Sequence, residues 1–169
     1  MARAQATDPL HNFRFHATVA VDGADAVAFT DSTGAQAGFM SASTPEVTVE
    51  AVEYREGIDT WTKKLPGVPT WSDVTLARGV MKTDTSFFDW ISKAIGNEEY
   101  RGDLSVYQWH RDGKTPGQIG DLGKARIYSC YEAIPTRVKL AGDLDSTASD
   151  ISLAEVDIAY EYAEITNAS

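Results

Sequence analysis

The sequence predicts a mainly β protein, an antiparallel β-barrel or sandwich with one flanking α-helix. Segments of alternating apolar and polar residues recur along most of the chain, and turn signals such as Asp22-Gly23 lie between them. One segment, from about Asp84 to Ile95, repeats its apolar residues at helical spacing instead. With 169 residues, 43% of them hydrophobic, the chain suits a single domain over residues 1–169 with one core.

The first predicted strand covers residues 11–21 and buries one face. The positions of that face are all apolar: Phe13, Phe15, Ala17, Val19 and Val21. A second strand is expected to begin near residues 38–40.

Residues 46–54 are predicted to form a strand whose apolar phase changes along its length. Val47, Val49 and Ala51 share one phase, whereas Val52 and Tyr54 share the other. Such a change is typical of a β-bulge, or of a strand that passes from a core to an interface.

A long hairpin loop is predicted next, at about residues 54–72. Residues 57–71 contain Pro66 and Pro69 and show no periodic pattern. The alternation resumes over residues 73–80, which are therefore predicted to be a strand.

The predicted helix has a cap at each end and one apolar face. Asp84 can cap its beginning, and Gly96-Asn97 can end it. The apolar face consists of Phe87, Phe88, Ile91, Ala94 and Ile95.

Strands are predicted over the rest of the chain, for a total of about seven or eight. They cover residues 104–110, 125–134, 137–140 and 151–165. The last of these has an apolar face of Val156, Ile158, Tyr160 and Tyr162 and an acidic face of Glu155, Asp157 and Glu161. Acidic residues of this kind form the solvated face of an edge strand, or they turn toward a basic partner or a lumen.

The charge balance argues against a protein that grips nucleic acid. The chain has 15 basic and 25 acidic residues, a formal net charge of −10, and a pI near 4.6. A surface of this charge repels phosphate backbones, although a polyanion could slide past it without sticking.

The sequence also indicates the compartment. No segment approaches the roughly 20 apolar residues that span a bilayer, so we expect no stable membrane insertion. We expect no signal peptide, because residues 1–10 have no apolar core. The single cysteine, Cys130, is predicted to be a buried small apolar residue, which fits synthesis and assembly in a reducing cytoplasm.

Signatures of catalysis and of metal binding are weak. The three histidines lack metal-ligand spacing, and residues 113–117 lack the context of a phosphate-binding loop. His110 with Asp112 could be a base and the residue that orients it, but a charged hairpin turn explains them more simply. Asp143 and Asp145 resemble a carboxylate pair, yet aspartates are common in turns. We predict neither an enzyme nor a metal or cofactor site.

The hairpin loop is the best candidate for an interaction surface. Trp61 and Trp71 bracket it, and such rings either pack back onto their own domain or contact a partner. Residues 54–56, Tyr-Arg-Glu, could form an internal ion-pair cluster or match the charges of a neighbouring subunit.

Together these segments resemble the tail-tube protein family of contractile phages and contractile injection systems, from about Asp8 to Ile165. The resemblance is carried by Asp8-Pro-Leu10 before Phe13-Arg-Phe15, Glu53-Tyr-Arg-Glu-Gly57, Leu65-Pro-Gly67, Val74-Thr-Leu-Ala-Arg-Gly79, Asp89-Trp-Ile91, Arg126-Ile-Tyr128, Ala133-Ile-Pro135 and Glu155. It implies a fold like that of haemolysin-coregulated protein, whose sheets join edge to edge in rings of six copies. Such rings stack into a hollow, rigid tube that delivers DNA or effectors.

The resemblance also implies partners and contact residues. The expected partners are other copies of the chain, a sheath protein, baseplate or hub proteins, tube-capping proteins, and DNA or protein cargo that passes without specific binding. The predicted ring-to-ring or subunit contacts are Tyr54, Arg55, Glu56, Gly57, Trp61, Leu65, Pro66, Gly67 and Trp71, with the acidic face of Glu155, Asp157 and Glu161 turned to the lumen or the sheath. Residues 131–135 and 140–150 depart from the family pattern, which leaves open a phage tube, an injection tube or a specialised baseplate ring.

A second hypothesis is a monomeric β-barrel that binds a small apolar ligand among its Trp and Tyr rings. The two hypotheses differ in their physical consequences. A ligand-binding barrel is a self-sufficient monomer with an interior cavity, whereas a tube subunit assembles into large rings or polymers.

Overall fold

The computed structural model describes residues 12–13, 15–21, 38–58, 60–81, 84–109, 124–142, 144 and 150–167. These residues form nine β-strands and one α-helix. In chain order they are β1 (Phe15–Val21), β2 (Ser41–Ala42), β3 (Glu46–Tyr54), β4 (Lys63–Ser72), β5 (Val74–Gly79), α1 (Ser86–Gly96), β6 (Gly102–Trp109), β7 (Lys124–Lys139), β8 (Leu153–Ala159) and β9 (Tyr162–Asn167).

Seven strands pair antiparallel through the long strand β7, which belongs to two sheets in turn. Residues 124–133 of β7 pair with β6 and β9, and β1 lies beyond β6; we call this four-stranded unit sheet I. Residues 134–139 of β7 pair with β8, and β5 and β2 follow; we call this unit sheet II. The prediction of an antiparallel sandwich with one helix is confirmed, and the strands of the described residues do not close into a barrel.

A β-bulge lets β7 pass from one sheet to the other. Between the pairs Gly102↔Ala133 and Leu104↔Cys130, β6 advances by two residues and β7 by three. Glu132 lies in this bulge with φ of 55°, a left-handed conformation that few residues other than glycine adopt. Strands that switch between packed sheets turn the corner at bulges of this kind.

One hydrophobic cluster lies between the two sheets and under the helix. Its members are Ala17, Val19, Val21, Val74, Leu76, Phe87, Trp90, Leu104, Val106, Cys130, Ala133, Val156 and Ile158. Since these side chains occupy the space between the sheets, the structure favours a packed sandwich over a barrel with a ligand cavity inside.

The predicted inner face of the first strand is right from Ala17 onward and wrong at its beginning. Ala17, Val19 and Val21 are buried, as the alternation requires. Phe15 is only half-buried, and Phe13 is 71% exposed. Phe13 precedes Phe15, the first paired residue of β1, so the alternation of the sheet does not extend to it.

The helix is present but rotated from the predicted face. Phe87 and Trp90 are its buried residues, whereas Phe88 is half-exposed and Ile95 is 80% exposed. The Trp90 indole N–H donates to the carbonyl of Tyr100 at 2.8 Å, which ties the helix to the chain that enters β6. The described residues include no helix that is long and apolar enough to cross a membrane.

The ends of the helix differ slightly from the prediction. Thr85, not Asp84, occupies the cap position, and Asp84 instead accepts a hydrogen bond from the Ser86 backbone N–H at 3.1 Å. Asn97, with φ of 55°, ends the helix as predicted, and the Glu98 N–H donates to the carbonyl of Lys93.

The long final strand predicted over residues 151–165 is two strands. The chain breaks at Tyr160–Glu161, so β8 pairs in sheet II and β9 pairs in sheet I. Conversely, the segments predicted as separate strands over 125–134 and 137–140 join in β7. Pro135 lies within β7, where it cannot donate a backbone hydrogen bond, and the register shifts directly after it.

Candidate assembly interface

Strands β3 and β4 form a hairpin that is a separate two-stranded sheet. Every residue of β3 is exposed, and in β4 only Gly67 and Trp71 are partly covered. A two-stranded hairpin is marginally stable in water on its own, because neither of its faces is buried. The hairpin therefore has the properties of an element that packs against something outside the subunit.

The hairpin was predicted, but its loop is shorter than the predicted 54–72. Strand β4 begins at Lys63, so the connecting loop is limited to residues 55–62. Pro66 and Pro69 interrupted the alternation in the sequence, yet a strand with an open edge accepts proline because its missing N–H can face outward.

A β-bulge in β4 lies opposite the point at which the apolar phase of β3 changes. Between the pairs Val49↔Pro69 and Ala51↔Pro66, β3 advances by two residues and β4 by three. Gly67 lies in this bulge, and a Cβ there would stand 2.8 Å from the carbonyl oxygen of Glu50. The predicted bulge is confirmed, and its extra residue belongs to β4. The two backbones approach so closely at position 67 that the position requires glycine.

Both faces of the hairpin are apolar. Because side chains alternate along a strand, Val47 and Val49 lie on one face of β3, and Val52 and Tyr54 lie on the other. All four are about half-exposed, and Leu65, which pairs with Val52, is half-exposed as well. Contiguous exposed apolar residues are typical of contact surfaces, and here they occur on two opposite sides.

The two tryptophans of the hairpin have different surroundings. Trp71 packs against the ring of Tyr160 at 5.9 Å between centroids, so it fixes the base of the hairpin to the body. Trp61 lies near the tip and is 80% exposed. Of the two rings, Trp71 packs back onto its own domain, whereas Trp61 is exposed to solvent and is available for contact with a partner.

The tip carries one residue that the sequence reasoning missed. Ile58 is 99% exposed, and it follows the exposed residues Arg55, Glu56 and Gly57 in the loop. Its sequence context, an isoleucine in a loop that is otherwise polar apart from Trp61, does not tell an exposed side chain from a buried one. At the base of the tip, Lys64 lies 3.7 Å from Glu53 across the strands, an exposed pair that contributes little stability.

The outer strands of sheet I are a second candidate surface. Within the described residues, β1 pairs on one side with β6, and β9 pairs on one side with β7. The opposite side of each strand offers backbone N–H and C=O groups to another strand. An antiparallel sheet with two such edges can be extended by further copies at both ends.

The three predicted acidic residues do not form one face. Arg137 binds both Asp157, at 2.8 Å, and Glu155, at 3.7 Å, on sheet II. Glu161 lies after the break between β8 and β9, and it binds Arg101 at 2.8 Å. The prediction of a common face is therefore wrong for Glu161, because the strand that was to carry all three ends at Ala159.

Ion pairing on sheet II shifts the pKa of Asp157 and of Arg137. The hydrogen bond from Arg137 lowers the pKa of Asp157, and a 2.8 Å hydrogen bond from the Thr75 hydroxyl adds to this effect. The same contact with Asp157 raises the pKa of Arg137. The Asp157 carboxylate is thus favoured in its charged form, and Arg137 offsets part of the acidic charge on this face.

A buried ion pair that the sequence did not reveal joins β5 to the beginning of α1. Arg78 and Asp84 lie 2.7 Å apart, with side chains 3% and 4% exposed. The Arg78 guanidinium also donates to the Ser86 hydroxyl at 2.7 Å and lies 3.9 Å from the centre of the Phe87 ring. Arg78 therefore has a structural role inside the subunit.

The described residues contain no group of three or more His, Cys, Asp or Glu side chains that could hold a metal. Cys130 is fully buried, and burial raises the pKa of its thiol to about 12. His11, the pair His110 and Asp112, residues 113–117, Asp143 and Asp145 lie outside the described residues.

The chain matches the family described as T4-like virus tail tube protein gp19 over residues 11–164. No curated protein sequence matches it. Among solved structures it is similar to a chain of the PVC sheath-tube complex, an extracellular contractile injection system in its extended state, with a TM-score of 0.75, 21% identity, and coverage of 96% of this chain and 95% of that chain. It is also similar to a chain of the anti-feeding prophage cap, with a TM-score of 0.74, 21% identity, and coverage of 96% of this chain and 93% of that chain. A crystal structure of Hcp protein matches with a TM-score of 0.54, 12% identity, and coverage of 90% of this chain and 98% of that chain. These likenesses show the fold.

Proposed function

The chain belongs to the family of the T4-like virus tail tube protein gp19, and from that premise we propose that it is the subunit of a hollow inner tube, built from stacked hexameric rings, in a contractile phage tail or contractile injection system. Tail tube proteins are structural, so the function needs burial and backbone pairing and requires no catalytic group. The observation that carries the proposal is the exposed hairpin of β3 and β4.

The hairpin supports assembly because it is incomplete alone. Two apolar faces, each about half-exposed, are covered only if other molecules pack on both sides. We assign ring-to-ring or subunit contacts to Tyr54, Arg55, Glu56, Gly57, Trp61, Leu65, Pro66 and Gly67, while Trp71 supports the base of the hairpin. Val47 and Val49 lie on one face of β3, and Val52 and Tyr54 lie on the other, so the two halves of the hairpin can meet different neighbours.

The edges of sheet I support closure into a ring. If β9 of one subunit pairs with β1 of the next, the sheet continues from copy to copy in a head-to-tail manner, and a suitable rotation per subunit closes the ring. Within each ring the backbone groups of both edges would then be hydrogen-bonded. A rotation of one sixth of a turn gives the hexamer that the family resemblance implies.

Sheet I also offers the better lumen wall. Thr18, Ser105, Ser129 and Glu164 lie in one row across its four strands, on the face opposite the core. Hydroxyl groups and a carboxylate give a hydrophilic surface without a basic side chain in this row, to which DNA or acidic protein would not adhere. The face of sheet II with Glu155 and Asp157 then points outward, toward a sheath.

The proposed partners follow from the solved relatives. One of them is a tube in complex with its sheath, and another belongs to a tube-terminating cap. A further similar chain comes from a baseplate of the anti-feeding prophage. By analogy we assign this chain a sheath, a baseplate or hub, and a capping protein as partners, with DNA or protein cargo in the lumen and assembly in the cytoplasm.

Negative-stain electron microscopy of the purified full chain tests the proposal. Hollow six-fold rings or tubes are expected, and Trp61→Ala should leave the subunit folded but prevent rings from stacking. A matched control is Ile95→Ala, which removes an equally exposed apolar side chain from the helix. A chain that stays monomeric at high concentration, with no rings in any buffer, would contradict the proposal and favour a self-sufficient binding domain.

A further inference from the structure

A surface pocket lies at one end of sheet II, where β5 ends and α1 begins. Its volume is about 300 Å³. Its lining is mostly apolar: Val80, Met81, Phe87, Phe88, Leu140 and Ala154. Several of these side chains remain about half-exposed, so the lining has no cover within the described part of the subunit.

The charged groups of this pocket are already paired within the subunit. Arg78 and Asp84 line it, and they form the buried ion pair with each other. Thr85 at the rim donates its hydroxyl hydrogen to Asp89 at 2.8 Å. The pocket thus presents an essentially uncharged, apolar surface on a chain of net charge −10.

The hairpin leaves sheet II at the opposite end. Only Asp73 separates the end of β4 from Val74, which pairs with Ile158, whereas the pocket adjoins Gly79, which pairs with Leu153. Five residue steps along β5 place these two ends about 17 Å apart at about 3.4 Å per residue. Since both faces of the hairpin are exposed, it does not fold back along the body toward its own pocket.

We propose that the hairpin tip of one subunit, with Ile58 and Trp61, inserts into the β5–α1 pocket of a subunit in the next ring. This inference rests on the proposed function and names the surface that receives the hairpin. The occupant matches the pocket in chemistry: the tip supplies an isoleucine and a tryptophan that are largely exposed, and the pocket supplies apolar lining at a size that holds such a group.

Charge does not prevent a second copy from being the occupant. Two subunits of net charge −10 repel each other over most of their surfaces. The loop at the tip carries Arg55, Glu56 and Asp59, but the two side chains that would enter the pocket, Ile58 and Trp61, are uncharged. The charged groups of the pocket, Arg78 and Asp84, are paired with each other, so Ile58 and Trp61 meet no unpaired charge there. Burial of the apolar groups then contributes directly to association.

The placement at opposite ends would also give the stack of rings a polarity. A contact between two different surfaces of identical subunits is heterologous, and it leaves a free tip at one end and a free pocket at the other. Rings joined in this way add further rings without limit until another protein occupies the last tip or pocket. A polar tube of defined direction is the result.

Disulfide trapping in assembled tubes tests the proposal. The double variant Ile58→Cys with Met81→Cys, treated with a mild oxidant, should give a ladder of covalently linked subunits on a non-reducing gel, whereas either single variant should give none. The native Cys130 does not interfere, because it is fully buried. If that pair fails to fold, Thr60→Cys with Val80→Cys places the thiols on the same two surfaces and keeps both Ile58 and Trp61, because Thr60 is an exposed residue of the same loop.

The matched control is Ile58→Cys with Ile95→Cys. Ile95 is exposed on the same helix, but seven residues beyond Phe88, or about 10 Å at about 1.5 Å per residue. Because a disulfide needs Cα atoms within about 7 Å, this control should give no ladder. An equally strong ladder from the control would overturn the proposal.

The other outcomes separate this inference from the proposed function. Tubes without a ladder, in which the thiol introduced by Met81→Cys still reacts with a soluble maleimide, would show that the pocket is open in the tube; the tube function would stand and the pocket assignment would fall. If that thiol became protected only when a sheath protein was added, the pocket would belong to the sheath contact, which also overturns the assignment. Absence of rings and tubes altogether would overturn both.

Discussion

Removal of the Asp84 carboxylate should destabilise the folded subunit strongly. The change Asp84→Ala leaves Arg78 as a charged group that is 3% exposed, with its carboxylate partner at 2.7 Å deleted. Loss of one member of a buried ion pair costs about 3–5 kcal/mol, since the remaining charge keeps its desolvation penalty without compensation. Asp84 also accepts the Ser86 N–H at the beginning of α1, so the first turn of the helix loses an acceptor at the same time.

The expected change in melting temperature follows from the chain length. At about 2.1 cal/mol/K per residue, the unfolding entropy of this chain is about 350 cal/mol/K, so a loss of 3–5 kcal/mol lowers the midpoint by about 8–14 °C. The measurement is thermal and denaturant unfolding, followed by circular dichroism, of the dispersed subunit. Assembled rings are unsuitable, because association adds its own stabilisation.

Two companion variants make this measurement decisive. Arg137→Ala breaks ion pairs in which the Arg137 side chain is 56% exposed, and it should cost no more than about 1 kcal/mol. The double change Arg78→Met with Asp84→Leu removes both buried charges together and should recover most of the loss. A loss below about 1 kcal/mol for Asp84→Ala, or a double variant worse than the single one, would refute the reasoning.

The remaining predictions concern the core, the acids and the thiol. Leu104→Ala should lower the free energy of unfolding, measured with denaturant, by about 2–5 kcal/mol, because Leu104 is fully buried. Phe15 is only half-buried, so Phe15→Ala should cost clearly less than the roughly 3–5 kcal/mol that is typical of a core ring. Equal losses for the two variants would contradict the placement of Phe15. The lowered pKa of Asp157 means that its stabilisation is present above the unfolded value near 4 and is lost as the pH falls through the folded value, so stability should decline in acid, and less so in Arg137→Ala. The thiol of Cys130, with a pKa of about 12, should react with an aromatic disulfide reagent at about pH 8 only after unfolding, and rapid reaction of the folded subunit would show that it is accessible.

Alternation allowed much of the sandwich to be predicted from the sequence. Where a strand has one buried face, the period of two is a direct consequence of the pleat, as in the buried positions of β1 and β8. The phase change in β3 coincides with a bulge in its partner strand β4. Strand β3 itself alternates without an extra residue, so its two faces both carry apolar side chains. Alternation within a strand is set by the pleat of that strand, so a short stretch of sequence is enough to predict it.

Other features escaped because they depend on contacts distant in the sequence. Nothing in residues 151–165 shows that the chain breaks at Tyr160–Glu161, because the break is decided by the two separate parts of β7 with which β8 and β9 pair. The rotation of α1 toward Trp90 depends similarly on the hydrogen bond to Tyr100 and on the sheet beneath it. Periodicity gives the apolar positions of a helix but does not determine which of them the core covers.

The hairpin that carries the candidate site could be predicted in this part of the chain because of the residue types that it needs. Strand β4 carries two prolines and a glycine, which weaken it as a strand within a sheet but suit a ribbon whose edges stay open and whose backbones approach closely at Gly67. Neither the exposure of Ile58 nor the pocket could be inferred from the sequence, because an isolated apolar loop residue looks the same whether it turns inward or outward. The positions of the hairpin and the pocket at opposite ends of sheet II depend on the strand pairing, and the proposed contact between two copies rests on those positions.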